Sequence, residues 1–163
     1  EPVYLRGNFS LKVEDKGFAV IPESGMILGS WKNQGAPFYS DGVVYSHSYE
    51  IAPAANARYK VCLGDWQGTF SRVLVNGEQA GIIAFKPAEL DISHLLRSGR
   101  NQVEVIVYGS LKNLLGPHHN EDEPGAAWPR MYQRGAAKGY PAGSAYRVMD
   151  YGLMEDFRLV RSE

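Results

Sequence analysis

Two adjacent histidines beside a run of carboxylates form the most chemically suggestive stretch of this sequence. His118 and His119 are followed by Asn120 and by the acidic residues 121–123. Imidazole and carboxylate groups are common ligands of divalent metals, and they also hydrogen-bond to sugars and to protein surfaces. Neighbouring side chains of an extended chain point in opposite directions, so two adjacent histidines rarely bind one ion. Metal binding, contact with a sugar or partner, and structural hydrogen bonding therefore all stay open here.

Pairs of carboxylates invite comparison with glycoside hydrolases. Such enzymes place two carboxyl groups about 5–9.5 Å apart across the scissile bond. The candidates in this sequence are Glu121, Asp122, Glu123, Asp150, Glu155 and Asp156. Spacing along the chain does not place any two of them across a sugar, so a small carboxylate-dependent hydrolase is kept only as an alternative.

Other catalytic chemistries have less support. Cys62 lies within an alternating apolar stretch, which is typical of packing. No Gly-x-Ser-x-Gly elbow, phosphate loop or dinucleotide fingerprint occurs in the sequence. His47 shares the apolar face of its predicted strand, so we expect a hydrogen-bonded core histidine.

Aromatic residues are concentrated in or beside turn-rich segments. They are Trp31, Phe38, Tyr39, Trp66, Trp128, Tyr132 and Tyr140. The C–H faces of sugars can lie on such rings while polar neighbours bind the hydroxyls. Aromatic loop residues also fold back to cap the ends of a sandwich, burying large apolar areas. Both roles remain open.

Composition excludes several classes of partner. The 163 residues carry a net charge of −1, and no basic stripe suited to nucleic acid is visible. Apolar runs are too short for a membrane helix, so we expect no membrane insertion. A single cysteine excludes an internal disulfide and a multi-cysteine zinc site. Because the sequence begins with Glu1 rather than Met, we expect a piece of a larger parent protein.

The elements that must position these side chains are mostly short strands. Apolar residues alternate with polar ones along 9–13, 43–51, 59–63, 103–107 and 157–159. Asn76-Gly77 predicts a type I′ hairpin joining strands near 70–76 and 78–84. A short helix is expected around Pro87 to Leu96, and a strand from Gln102 to Tyr108 should follow. Together these patterns predict one all-β domain over residues 1–163, an antiparallel β-sandwich with one short helix.

Two stretches lack periodicity. Residues 22–42 are rich in Gly, Ser and Pro, and residues 110–145 hold many Gly and Pro. Irregular segments of this length in a compact domain usually serve function or contact another domain.

Three segments resemble accessory domains of bacterial glycosidases. They are residues 31–42 (WKNQGAPFYSDG), residues 73–101 from VLVNG through LDIS to Asn101, and residues 105–119 (VIVYGSLKNLLGPHH). The first two are similar to the galactose-binding-like jelly-roll domains of family 2 glycoside hydrolases. The third resembles β-sandwich domains of α-L-rhamnosidase-like proteins. The likeness covers roughly residues 30–120 and the final strand.

This resemblance implies a non-catalytic accessory module that contacts glycan weakly or braces the catalytic domain of a larger glycosidase. The residues we select for glycan contact are Trp128, His118, His119, Asn120, Trp31 and Tyr39. The expected partners are glycan and other domains of the parent enzyme. Domains of this kind often carry a structural calcium ion, although no D-x-D-x-D-G loop marks one here. Export to the periplasm or cell exterior is implied, and the competing hypothesis is a structural interdomain module without a sugar site.

Overall fold

A computed structural model describes residues 5–54, 56–119 and 139–162. Packing divides the chain into two compact units. The sandwich unit comprises Leu28–Ser30, Ser40–Ser110 and Asp150–Glu163, and the loop unit comprises Glu1–Ile27, Trp31–Tyr39 and Leu111–Met149. The expectation of a single domain over residues 1–163 stays a prediction.

The sandwich unit contains the larger sheets. Its strands are β3 (Gly42–Ile51), β4 (Arg58–Cys62), β5 (Trp66–Gln67), β6 (Phe70–Val75), β7 (Glu78–Ile83), β8 (Glu89–Asp91), β9 (Gly99–Tyr108), β10 (Gly152–Leu153) and β11 (Arg158–Ser162). A four-stranded antiparallel sheet has the order β3-β9-β6-β7, and a three-stranded antiparallel sheet has the order β11-β4-β8. A short pair joins β5 to β10. The predicted fold class, an all-β antiparallel sandwich, is confirmed.

Alternation along the strands builds the core of this unit. On β9 the buried residues are Asn101, Val103, Val105 and Val107, and their neighbours are more exposed. Val73 and Val75 on β6 and Val61 on β4 are equally enclosed. The phenol oxygen of Tyr45 accepts a hydrogen bond from the backbone N–H of Leu153 at 3.3 Å. One face of β4, β6 and β9 is thus removed from water, and such burial is the main stabilising term of such a fold.

The predicted hairpin is confirmed at Asn76-Gly77. Both residues have positive φ, 53° and 83°, as a type I′ turn requires. It joins β6 to β7, close to the predicted bounds. The strand expected from Gln102 begins earlier, at Gly99.

The helix expected around Pro87 to Leu96 is largely wrong. This segment contains β8 and only a 3₁₀ turn, Ser93–Leu95. Backbone pairing with β4 takes Glu89 to Asp91 into the sheet instead. The one α-helix of the described residues is α1 (Leu111–Leu115). No helix in these ranges is long and apolar enough to cross a bilayer.

The loop unit has less regular structure. It holds β1 (Ser10–Val13), paired antiparallel with β2 (Phe18–Ile21), together with α1 and the 3₁₀ turns Trp31–Gln34 and Gly143–Ala145. The predicted faces of β1 are wrong at two positions: Ser10, expected on the polar face, is 4% exposed, and Val13, expected on the apolar face, is 50% exposed. The hydroxyl of Ser10 accepts the Ser24 backbone N–H at 3.0 Å, and this hydrogen bond explains a buried serine.

Candidate functional site

His118 and His119 lie in a loop that begins where α1 ends. The backbone N–H of Gly116 donates to the Lys112 carbonyl at 2.9 Å and closes the last turn of the helix. Gly116 has φ +82°, and a Cβ there would lie 3.0 Å from the His118 nitrogen. Only glycine suits this left-handed position after a helix, so the sequence Leu-Gly-Pro-His turns the chain sharply at this point.

Hydrogen bonds fix this loop against residues 147–149. The amide of Asn113, 2% exposed, donates to the Met149 carbonyl at 2.9 Å and accepts the Met149 N–H at 2.7 Å. The Arg147 backbone N–H donates to the carbonyl of His118 at 2.9 Å. The Lys112 ammonium group donates to the Pro117 carbonyl at 2.7 Å. The histidines are therefore held on a braced loop.

The surroundings of His118 favour the neutral form of its imidazole. Burial lowers its pKa, and the positive charge of Lys112 acts in the same direction. Its Nε2 lies 2.8 Å from the Asn113 carbonyl oxygen, which can only accept, so Nε2 carries the proton. Nδ1 then holds a lone pair and is an acceptor rather than a cation.

The histidines belong to a group of half-buried rings, which we call the aromatic–histidine cluster. Its members are Phe18, Phe38, His118, His119 and Tyr146. The tightest contact is edge-on, between His119 and Tyr146 at 4.4 Å. Phe38 meets His118 at 5.2 Å, and Phe18 meets Phe38 at 5.1 Å and Tyr146 at 5.2 Å. Edge-to-face packing of this kind orients each ring by its neighbours.

Trp31 and Tyr39 form a second aromatic pair in the same unit. Their rings meet edge-on at 5.8 Å. Trp31 is 1% exposed, whereas Tyr39 is 39% exposed. A buried indole offers no face to a sugar. Trp31 therefore packs against Tyr39 and orients its ring, and Tyr39 is the accessible aromatic residue of the pair.

The remaining predicted glycan contacts, Asn120 and Trp128, lie outside the described residues, as do the carboxylates 121–123. Among the other loop aromatics, Tyr140 is 85% exposed and Trp66 is half-buried in β5. Of the six selected residues, the structure therefore describes His118, His119, Trp31 and Tyr39, all within the loop unit.

The described residues contain no cluster of side chains suited to bind a metal ion. In those ranges no group of three or more His, Cys, Asp or Glu side chains could hold an ion. Calcium draws many of its ligands from backbone oxygens, so the calcium expectation stays a prediction.

His47 is not the core histidine that its alternation predicted. Its side chain is 44% exposed, and Nε2 lies 2.7 Å from a carboxylate oxygen of Asp156. Its ring also contacts Phe157, with centroids 5.0 Å apart. The alternation placed His47 on the correct face of β3, but that face is open to solvent at this position.

Sequence reasoning missed two members of the aromatic–histidine cluster. Phe18 lies in β2, and Tyr146 follows the 3₁₀ turn Gly143–Ala145. Phe18 lies 20 positions from Phe38 and 128 from Tyr146, and Tyr146 lies 27 and 28 positions from the two histidines, and no local motif links residues so far apart. Backbone hydrogen bonds from Gly17 to Pro141 and from Gly143 to Glu14 hold the turn between β1 and β2 beside residues 141–143, and the bond from Arg147 to His118 holds this segment beside the histidines.

Comparison with solved structures supports the fold. The chain superposes on a rhamnosidase from Novosphingobium sp. PP1Y with a TM-score of 0.56 and 19% identity, covering 99% of this chain and 16% of the rhamnosidase. A β-glucuronidase from Bifidobacterium dentium matches at 0.49 and 19% identity, covering 94% of this chain and 28% of that chain. A β-D-mannosidase from Dictyoglomus thermophilum matches at 0.46 and 17% identity, covering 96% and 22%.

The last two TM-scores lie below 0.5, so the fold likeness rests on the rhamnosidase. At this identity the likeness concerns architecture alone, and the chain spans only 16% of that enzyme. No family model matches the sequence, and no curated protein matches it.

Proposed function

We propose that this chain is a non-catalytic accessory module of a larger glycoside hydrolase, exported to the periplasm or the cell exterior. The observation that carries this proposal is the superposition of 99% of the chain on 16% of a rhamnosidase. A fold that fills a small share of a large enzyme is suited to a supporting role. The order of the sequence segments that resemble glycosidase accessory domains points the same way.

The loop unit supplies the groups for a weak glycan contact. Tyr39 offers an accessible ring, held edge-on by buried Trp31. His118 offers a neutral acceptor nitrogen, and half-buried His119 lies on Tyr146. A sugar needs an apolar surface for its C–H face and a few fixed polar groups for its hydroxyls. Tyr39 supplies the apolar surface, and His118 supplies a polar group on the braced loop. Asn120 and Trp128 remain part of the proposed contact.

Calorimetric titration of the 163-residue chain with L-rhamnose and rhamnosyl oligosaccharides tests this function, and a glycan array extends the search. We expect weak, saturable binding. Tyr39→Ala should reduce affinity about fivefold, because one aromatic contact contributes roughly 1 kcal/mol. Tyr39→Phe keeps the ring and is the matched variant, expected to retain most of the affinity. Tyr140→Ala removes an exposed tyrosine that belongs to neither aromatic group, and should bind as wild type does.

The alternative proposal is a module that braces the catalytic domain and has no sugar site. No heat and no array signal across plant and host glycans would favour this alternative and would contradict glycan binding.

A further inference from the structure

β3 is the longest edge strand of the two larger sheets. It spans ten residues, Gly42–Ile51, and among the described strands it pairs only with β9. The pairing keeps one register along all ten residues, with no bulge. The side of β3 that faces away from β9 is therefore a long and regular backbone edge.

Two backbone hydrogen bonds of β9 determine which residues face this edge. The Gln102 carbonyl accepts the Asn76 N–H at 2.8 Å, on the β6 side. The N–H of Gly109, one residue beyond β9, donates to the Asp41 carbonyl at 3.5 Å, on the β3 side. Successive residues of an antiparallel strand direct their N–H and C=O groups to opposite sides, so in this register the even-numbered residues of β3 point away from β9. Those within residues 44–50 are Val44, Ser46, Ser48 and Glu50.

The backbone groups of these four residues lack partners within the described part of the chain, since no hydrogen bond there reaches their N–H or C=O. All four residues are exposed, Val44 at 53%. The Ser46 hydroxyl accepts from Gln102 at 3.2 Å, and the Ser48 hydroxyl accepts from Arg100 at 3.0 Å. Both hydroxyls are thus bonded to β9 and leave the free edge open.

The other edges of the two larger sheets are protected in ordinary ways. β7, the opposite edge of the four-stranded sheet, has six residues and a shift of register between Val73 and Leu74 beside it. β8 has three residues, and β11 has five, with the exposed Arg158 and Arg161 among them. Short length, bulges and basic side chains are the usual means of preventing strand addition. β3 is long and unbulged, and it contains no Lys, Arg or Pro.

We propose that the free edge of β3 binds an extended polypeptide segment of a partner protein, which joins the four-stranded sheet as a fifth, antiparallel strand. Residues that face the same side of a strand recur every ~6.8 Å and present one donor and one acceptor each. An extended backbone repeats the same groups at the same spacing, and this complementarity is the basis of recognition by strand addition. A sugar has no such repeat.

The side chains beside the edge define a peptide that should fit it. In cross-strand pairs an apolar residue suits Val44, threonine suits Ser46 and Ser48, and lysine suits Glu50. The capped heptapeptide KTTYTTV combines these choices with residues that favour strands. Its first residue would lie opposite Glu50, its tyrosine opposite His47 and its last residue opposite Val44.

Hydrogen exchange of the 163-residue chain, followed by NMR during titration with this peptide up to about 5 mM, tests the proposal. We expect fast exchange of the four outward amides in the free chain and slow exchange at Val43, Tyr45 and His47, which bond to β9. Binding should be weak, with a Kd on the order of 1 mM, because a short peptide loses chain entropy when it becomes ordered. The peptide at 5 mM should then slow exchange of the outward amides about sixfold.

Methylated peptides separate strand addition from side-chain contact. N-methylation of the third and fifth residues removes N–H groups that face β3, and should weaken binding about tenfold or more. N-methylation of the second and fourth residues removes N–H groups that face solvent, and should change the affinity about twofold at most. Equal affinities of the two methylated peptides overturn the proposal.

A proline variant tests the edge from the side of the protein. Ser46→Pro removes an outward N–H and no hydrogen bond of the native sheet, which is where edge strands tolerate proline. It should abolish peptide binding and leave the circular dichroism spectrum unchanged. Arg161→Pro is the matched control on β11, because Arg161 is opposite Tyr59, Tyr59 bonds to Ile92 beyond β8, and the Arg161 N–H therefore also points outward. This variant should bind the peptide as wild type does.

Three results contradict the proposal. The first is a peptide that leaves the four outward amides unprotected at 5 mM, and the second is equal binding by Ser46→Pro and wild type. The third is protection of these amides that rises with the concentration of the chain alone, because the occupant of the edge would then be a second copy.

Discussion

Asn101 is the residue that most clearly joins two parts of the sandwich unit. It is fully buried, and its amide donates to the carbonyls of Arg97 at 2.7 Å and Gly99 at 3.0 Å. Its oxygen accepts from the Asn76 amide and from the Arg97 backbone N–H, both at 3.0 Å. All the hydrogen-bonding capacity of the side chain is used, so its role is structural.

Asn101→Ala should lower the free energy of unfolding by about 2–4 kcal/mol, because several buried polar groups lose their partner at once. Urea unfolding followed by circular dichroism measures the change. Gln102→Ala is the matched control on the exposed side of the same strand, with an expected change within about 0.5 kcal/mol. Equal losses in the two variants would refute the structural role of Asn101.

Asp91 couples stability to pH. Hydrogen bonds from the hydroxyl and the backbone N–H of Ser93, at 2.6 and 2.9 Å, lower its pKa from 3.8 to about 2, and Arg58 acts in the same direction. Because the pKa is lower in the folded state than in the unfolded one, the stabilising contribution is present above about pH 4 and is lost as pH falls toward 2.

Asp91→Asn should therefore be less stable than wild type at pH 7, and the difference should shrink between pH 4 and pH 2. Urea midpoints of both proteins measured across this range provide the comparison. A gap between the two midpoints that stays constant down to pH 2 would show that ionisation of Asp91 is not the cause.

Among the elements, the β6–β7 hairpin shows how far local sequence determines structure. Asn-Gly was sufficient to place the turn, because few residue pairs adopt two successive positive φ angles. A Cβ at Gly77 would meet nothing within 4 Å, so the cost of a substitution there comes from backbone conformation alone.

Gly77→Ala should cost about 1–2 kcal/mol, the penalty for a left-handed alanine. Gly25 provides a matched control, since a Cβ there also meets nothing within 4 Å and its φ is not positive. We expect Gly25→Ala to change the stability by less than 0.5 kcal/mol or so. Thermal unfolding of both variants distinguishes backbone strain from any general effect of an added methyl group.

The elements that sequence reasoning misplaced were decided by tertiary contacts. Glu89 to Asp91 reads as the first turn of a helix, but pairing with β4 makes it a strand. Alternation in β1 predicted a buried Val13 and an exposed Ser10, yet Val13 is 50% exposed and Ser10 is buried with the backbone N–H of Ser24 as its hydrogen-bond partner. Local sequence patterns indicate only secondary-structure propensity. In these two segments the propensity is weak, and contacts with residues distant in sequence override it.

At the scale of the whole molecule, the regular half of the chain was predictable and the candidate site was only partly so. The strands follow from periodicity, which is a local property. His118, His119, Trp31 and Tyr39 were named from their residue types and loop positions. Their arrangement depends on Phe18, Tyr146 and the amide of Asn113, which the chain brings together only on folding.

The sandwich core should dominate the stability of the whole chain. Leu153 on β10 is fully buried, and Leu153→Ala should cost about 2–5 kcal/mol. Val160→Ala, at a position 42% exposed on β11, should cost far less. Urea unfolding of the pair measures both. Similar losses at the two positions would mean that the core does not lie where the buried residues indicate.

The Asn76-Gly77 turn is also a site at which the protein can be deamidated during storage. Asparagine is a thermolabile residue, and one followed by glycine is readily deamidated: the unhindered backbone nitrogen of the glycine attacks the side-chain amide carbon and displaces ammonia, and water then opens the resulting succinimide to the acid. In this fold the Asn76 amide nitrogen donates to Asn101 and its oxygen accepts the Gln102 N–H at 3.0 Å. Conversion to aspartate would remove the donor and place a negative charge against a buried amide. Deamidation of stored protein at this turn should therefore give an acidic species with lower stability.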